Sequence, residues 1–152
     1  SYRSMLGGVL WQERDSSTET AAGMKPVTTR HPSDEEYQDM VFANKIVKHS
    51  RSNAIVLAKG KQLCASGIGQ TSRIDALHQA IDKARAFGFS LDGAVMASDA
   101  FFPFADSVTM AHEAGISAVV QPGGSVRDQE SIDYCNKTGV AMVFTGVRHF
   151  KH

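Results

Sequence analysis

From Ala54 onward the chain alternates short apolar runs with amphipathic helical stretches, each closed by Gly, Pro, Ser or Asp, and this alternation restricts its fold more than any other feature. Gly93 to Ser98, Ile116 to Gln121 and Val140 to Thr145 read as strands, with helices over Asp106 to Ala114 and Asp128 to Thr138 between them. Ahead of them, Ala54 to Lys59, the turn Gly60-Lys61 and Gln62 to Ala65 read as a β-hairpin. Gly67-Ile68-Gly69-Gln70-Thr71-Ser72-Arg73 then opens a helix that buries Ile74, Leu77, Ala80, Ile81 and Ala84 and stops near Gly88. Strands feeding helices through short loops predict a largely parallel sheet, antiparallel only at the hairpin, in an α/β three-layer α/β/α sandwich. Ligand sites in such sheets lie at the carboxyl ends of the strands, which directs attention to Ser66 to Arg73, Asp99 to Phe104 and Pro122 to Ser125.

The N-terminal third is less regular. Gly7 to Gln12 reads as a first strand, and Glu13 to Pro32 as a long polar loop without a period. Such a loop is expected to be functional, disordered or packed on a partner. Ser33-Asp34-Glu35-Glu36 has the spacing of a capping box, and Tyr37, Met40, Val41, Ala43, Ile46 and Val47 follow at helical intervals. A length of 152 residues fits one domain, and the start at Ser1 without Met suggests a piece of something longer.

Charge and cysteine content exclude several classes. Sixteen Lys+Arg balance sixteen Asp+Glu, so the basic excess that nucleic acid or an anionic membrane requires is missing. Cys64 and Cys135 lie far apart with no CxxC, which argues against a disulfide framework or zinc ribbon and for a reducing, cytoplasmic setting. The longest apolar runs fall far short of the roughly 20 residues of a membrane helix, and the first residues lack a secretory h-region. There is no Gly-x-Ser-x-Gly, His-Glu-x-x-His, His-x-Glu or Pro-Cys-x-x-Cys, so neither a serine nucleophile nor catalytic zinc is expected. His31, His49, His78 and His112 read as solvated, and His149 and His152 form only a His-x-x-His pair on a basic tail.

Each loop carries two readings. Gly67-x-Gly69-x-x-Ser72 reads as a phosphate loop or as a flexible turn, and Arg73 favours the first, because a cation in the first turn of a helix calls for a compensating anion. Phe101-Phe102-Pro103-Phe104 is either a plug for the end of the sheet or a stacking platform for a flat heterocycle. Asp106 serves either the helix dipole or a ligand amino group. Pro122-Gly123-Gly124-Ser125 offers amides and a hydroxyl at a helix N-terminus, as a tight strand-to-helix connection also requires. Arg148, just beyond the last strand, sits at the same edge and is placed to face an anion.

Taken in order, Ser52-Asn53-Ala54-Ile55, Gly67 to Arg73, Ser98 to Phe104, Pro122 to Asp128 and Arg148 to His152 resemble the carboxy-terminal part of the bifunctional purine-biosynthesis enzymes that are AICAR transformylases and IMP cyclohydrolases. The resemblance runs from about Gly7 to His152. It implies a cytidine deaminase-like fold without zinc. It also implies transfer of the formyl group of 10-formyltetrahydrofolate, a co-substrate, to the 5-amino group of 5-aminoimidazole-4-carboxamide ribonucleotide (AICAR), with ring closure to IMP in a separate domain. That amine is a weak nucleophile, its lone pair delocalised into the ring and carboxamide, so a base and an oxyanion stabiliser are needed.

Carried over by position, the resemblance implies that Asn53, Arg73, Phe101 and Arg148 contact AICAR, and that Ile74, Asp106, Ser125 and Val126 line the folate site, with Pro103 and Phe104 as an adjoining wall. It further implies a cytoplasmic homodimer whose halves share the active site. Residues 1–152 then correspond to the C-terminal half of the transformylase region. The lysine-histidine pair that the family uses in catalysis belongs to the preceding half, so the chain alone is expected to be inactive. Two departures stand out: Ala65, where the family extends its glycine loop, and Ala105, where an arginine commonly follows the aromatic turn. A non-catalytic nucleotide- or folate-binding module on the same scaffold is the competing expectation.

Overall fold

The computed structural model describes residues 23–146. The expected first strand, Gly7 to Gln12, lies outside them, as do Arg148 and the tail histidines. In chain order the elements are β1 (Lys25–Pro26), α1 (Asp34–Lys48), β2 (Ile55–Lys59), β3 (Gln62–Gly67), α2 (Arg73–Ala86), β4 (Val95–Ser98), α3 (Asp106–Glu113), β5 (Ala118–Gln121), α4 (Asp128–Thr138) and β6 (Ala141–Phe144). Among the described residues six strands form one sheet in the order β1-β6-β5-β4-β2-β3.

Strand direction departs from the sequence reading. Only β4, β5 and β6 run parallel. The hairpin β2-β3 joins them through an antiparallel β2-β4 pairing, and β1 is antiparallel to β6 at the other edge, so the sheet is mixed rather than largely parallel. The reversal of β2 matters for the site. It sets Ile55 opposite both Ser98 and Gly67, so the residues entering β2 share one edge with those leaving β3 and β4.

Alternation along the strands builds a core on each face. Ile55, Leu57, Met96, Val119 and Met142 point to the side covered by α2, α3 and α4, where Leu77, Ala80, Ile81 and Phe102 join them. Val56, Ala58, Val95, Ala97, Ala118, Val120, Ala141 and Val143 point to the other side. There the short side chains let α1 settle through Met40, Val41, Ala43 and Val47. Three layers therefore form around two apolar cores.

Local chemistry fixes the ends of these elements. The capping box is complete: the Glu36 amide donates to Ser33 Oγ at 3.2 Å, and the Ser33 amide to Glu36 Oε1 at 2.9 Å. The hairpin turn places both Gly60 and Lys61 at positive φ, 60° and 58°, and Asp39 accepts both their amides at 3.1 and 2.7 Å. Gly88, at φ 78°, follows the end of α2, and its amide donates to the Arg85 carbonyl.

The expected long loop is partly structured. Among its described residues, Val27 donates to the Met142 carbonyl, and the Met142 amide donates to Thr28 Oγ1 at 2.9 Å, so the segment packs on the sheet edge of its own chain. Arg30 then grips Glu36 with two bonds of 2.8 Å, and Ser117 donates to the same carboxylate at 2.5 Å. Burial pushes the Glu36 carboxyl up, but its hydrogen bonds from Arg30, Ser117 and Ser33 outweigh that and hold it below the usual carboxylate value. The cysteines are buried and unpaired by disulfide, and burial raises both thiols, that of Cys135 to about 12.

Two expectations follow. A carboxylate with a lowered folded pKa contributes stability that is present above its unfolded pKa and lost as pH falls through the folded value. Glu36→Gln, which keeps the capping box but not the charge, is therefore expected to destabilise the chain by about 1–2 kcal/mol at pH 7, on the scale of a lost charged hydrogen bond, and the gap should close as the parent is acidified below pH 4. Urea unfolding of both proteins at the two pH values measures it. Both thiols should stay inert to a chromogenic disulfide reagent until the chain is unfolded, when two should react at once.

Candidate functional site at the carboxyl edge of the sheet

Four chain segments meet at the edge defined by Ile55, Gly67 and Ser98. Ser52 and Asn53 enter β2, the glycine loop leaves β3, Asp99 follows β4, and the loop after Gln121 leaves β5. The peptide between Ser52 and Asn53 is cis. Asn53 and Gln70 exchange backbone hydrogen bonds of 3.2 and 3.3 Å, and Asn53 Nδ2 adds a third to the Gln70 carbonyl at 3.1 Å. The Gly69 amide donates to the Arg51 carbonyl at 2.9 Å.

These bonds decide between the readings of the glycine loop. The amides of Gly69 and Gln70 are engaged by residues 51–53, and Ser72 Oγ accepts the Asp75 amide as the cap of α2. Gly67 serves packing: a Cβ on it would lie 1.9 Å from the Ala76 carbonyl oxygen, so only glycine allows β3 and α2 to approach this closely. The loop is thus not an open phosphate cradle but a strut that aims the first turn of α2.

That first turn carries Arg73. Its guanidinium Nη1 donates to Asp99 Oδ1 at 2.6 Å and to Asn53 Oδ1 at 2.9 Å. The Arg73 side chain is 11% exposed and that of Asp99 is fully buried. The anion that a cation at a helix N-terminus calls for is supplied from within the chain, by a residue the sequence reading passed over. A strand-terminal aspartate beside a predicted helix start was the available signal, but nothing in local spacing says which helix start it faces. Asp99 Oδ2 is buried without a hydrogen-bond partner. Gln121 Oε1, at the end of neighbouring β5, is in the same condition, while its amide nitrogen contacts Met142 Sδ at 3.4 Å.

The aromatic turn divides its roles. Phe102 is fully buried and plugs the core; Phe101 is half-buried; Phe104 is half-exposed, with the Arg127 guanidinium 5.1 Å from its ring centre. A Cβ on Gly124 would lie 3.9 Å from Phe101 Cδ2, so the loops after β4 and β5 come near each other at this ring. The amides at Gly124 and Ser125 are not open, because Asp128 accepts both at 2.8 and 3.2 Å, and Ser125 Oγ accepts the Arg127 amide. Val126 and Asp106 are exposed, and Ile74 is half-buried. The structure therefore joins Asn53 to Arg73 by a direct bond and places Phe101 near the Gly124 loop. Arg148 lies outside the described residues.

Histidine follows expectation with one correction. His31, His49 and His78 are exposed, but His112 is half-buried, its Nδ1 3.2 Å from the Tyr134 hydroxyl and its ring edge-on to the tyrosine. Among the described residues no three His, Cys, Asp or Glu side chains group as a metal site, and no helix is long and apolar enough to cross a membrane.

A mixed sheet between helical layers, with a buried arginine at its carboxyl edge, defines an α/β protein with a polar site at its strand ends. The family model described as the AICARFT/IMPCHase bienzyme matches residues 1–83, and the chain belongs to that family. It is 64% identical over 151 residues to the bifunctional purine biosynthesis protein PurH of Bacteroides thetaiotaomicron, covering 99% of this chain and 30% of that protein. The proteins of the same name from Acetivibrio thermocellus and Aquifex aeolicus are 56% and 53% identical over 150 residues, each alignment covering 99% of this chain and 29% of the relative. The chain thus spans about 30% of the length of the curated relatives it matches. A solved structure with a similar fold is a diaminohydroxyphosphoribosylaminopyrimidine deaminase/5-amino-6-(5-phosphoribosylamino)uracil reductase from Thermotoga maritima. Its TM-score is 0.50 at 20% identity, over 70% of this chain and 34% of that one, a likeness of fold alone.

The close contact at Gly67 gives a prediction. Gly67→Ala forces α2 away from β3 and is expected to cost about 1–3 kcal/mol. It should also change the environment of Arg73, read as movement of its side-chain Nε–H resonance, whereas Gly88→Ala, with open space around it, should leave that resonance in place.

Proposed function

We propose that this chain supplies substrate-contact residues of an AICAR transformylase in purine biosynthesis. The reaction passes the formyl group of 10-formyltetrahydrofolate to the 5-amino group of AICAR, and another domain of the longer enzyme closes the ring to IMP. The observation that carries the reading is the meeting of Asn53 and Arg73 beside the aromatic turn at one sheet edge, in a chain similar throughout to proteins named PurH. Asn53 and Arg73 face the carboxamide, Phe101 packs on the imidazole, and Arg148 contributes from the tail. Ile74, Asp106, Ser125 and Val126 contribute to the folate side, where exposed Asp106 is suited to accept from the pterin's N–H donors and exposed Val126 and Phe104 offer apolar surface.

In this reading, as the family resemblance implies, the catalytic groups come from another part of a homodimeric cytoplasmic enzyme and the chain alone does not turn over.

Calorimetric titration with AICAR tests the reading. The full chain is expected to bind the nucleotide, with Asn53→Ala and Arg148→Ala each weakening it at least tenfold, about 1.4 kcal/mol. These variants are preferred to Arg73→Ala, which leaves Asp99 buried and unpaired at a cost of about 3–5 kcal/mol. No tetrahydrofolate should be released when formyl donor and AICAR are both present. Binding that is indifferent to both substitutions, or turnover by the chain alone, would sink the proposal.

A further inference from the structure

Among the described residues of this edge, the loop amides and the Arg73 Nη1 that could receive an anion are engaged from within the chain. Gly69 and Gln70 amides donate to residues 51 and 53, those of Gly124 and Ser125 to Asp128, and Arg73 Nη1 to Asp99 and Asn53. The Arg73-Asp99 pair is formally neutral, and its geometry is set on three elements at once: the first turn of α2, the end of β4 and the entry to β2. The other oxygen of that carboxylate, Asp99 Oδ2, is a buried acceptor with no hydrogen-bond partner. An anion placed here meets a cancelled charge and a nearby carboxylate oxygen. A planar, uncharged group bearing both a carbonyl and an N–H meets a fixed donor and an acceptor field.

We propose that Asp99 is a positioning and specificity-determining residue, which fixes and neutralises Arg73 so that this subsite selects an uncharged amide over a phosphate. The inference rests on the proposed function in taking this edge as the substrate site, and it assigns Asp99 a task that none of the substrate-contact residues performs. The charge of a nucleotide phosphate is then met elsewhere in the enzyme. Replacing Asp99 by asparagine keeps the shape and returns a net positive charge to the edge, so it should create an anion site where the parent has none.

The full 152-residue chain, labelled with nitrogen-15 at arginine, reports on this through the Arg73 Nε–H resonance, identified by its loss in Arg73→Lys. At constant ionic strength, inorganic phosphate is expected to leave that resonance unmoved in the parent, while the neutral base 5-aminoimidazole-4-carboxamide shifts it. In Asp99→Asn, phosphate should move it saturably, with an affinity at least about tenfold above the parent's, and Asp99→Glu should restore indifference. A purely structural role for Asp99 predicts no such gain. A saturable phosphate response at Arg73 in the parent overturns the proposal whether or not the variant folds, and so does a folded Asp99→Asn that ignores phosphate. Should the parent fail to bind AICAR, the proposed function falls, yet the comparison of phosphate responses still decides the role of Asp99.

Discussion

The ion pair between Arg73 and Asp99 is the constraint around which this edge of the molecule is organised. A fully buried carboxylate is costly unless a cation meets it with good geometry, and here the 2.6 Å contact requires α2 to begin at one place above the end of β4. Asn53 shares the same guanidinium nitrogen, so the entry to β2 is drawn into register as well. The glycine loop then has little freedom: Gly67 brings the helix against the strand, and the amides of Gly69 and Gln70 bind the segment before β2. Charge pairing thereby converts three separate loops into one rigid surface.

The opposite end of the sheet solves the same problem differently. Glu36 is also buried, but its carboxylate takes bonds from Arg30, Ser33 and Ser117, and Asp39 next to it caps the hairpin turn with both oxygens. These acids leave no carboxylate oxygen wanting a donor. A cavity of about 660 Å³ opens there among Arg30, Glu36, Asp39, Lys59 and Ser117, yet Glu36 and Asp39 are already engaged from within, as is Lys59 by the Asp92 carbonyl. Size alone does not make that cavity a site. Unmet polarity marks the carboxyl edge instead, where Asp99 and Gln121, at the ends of adjacent strands, each retain a buried oxygen without a partner.

How much of this the sequence disclosed follows from the range of the interactions involved. α1 was legible because the Ser33-Glu36 box and the spacing of Met40, Val41, Ala43 and Val47 act within one helix. The boundaries of α4 were likewise local, ending at Gly139 in a left-handed conformation. Strand direction was not, since the residues of β2 alternate in the same way whether it runs with β4 or against it, and only the short turn at Gly60-Lys61 fixes its hand relative to β3. A two-residue strand such as β1, containing a proline, has no period to detect. Arg73 was recognisable as a cation in want of an anion; that the anion was Asp99, 26 residues away, required the sheet.

The same distinction explains why motif readings here divide so unevenly. Glycine-rich connections after strands admit an anion only if their amides remain open, and both candidate loops close that option with acceptors of their own, the carbonyls at Arg51 and Asn53 in one case and Asp128 in the other. The aromatic turn divides by depth, one ring completing the core and one exposed to a neighbour. What this edge offers is the directional chemistry of Asn53, Arg73 and Asp99, with exposed apolar surface at Phe104 and Val126 on the loops after β4 and β5. Directional hydrogen bonding beside apolar surface discriminates flat polar heterocycles by the pattern of their donors and acceptors, because a mismatch strands a buried polar group, whereas a pool of free positive charge would accept any anion of similar size. An edge that has neutralised its own arginine is built for the first kind of discrimination.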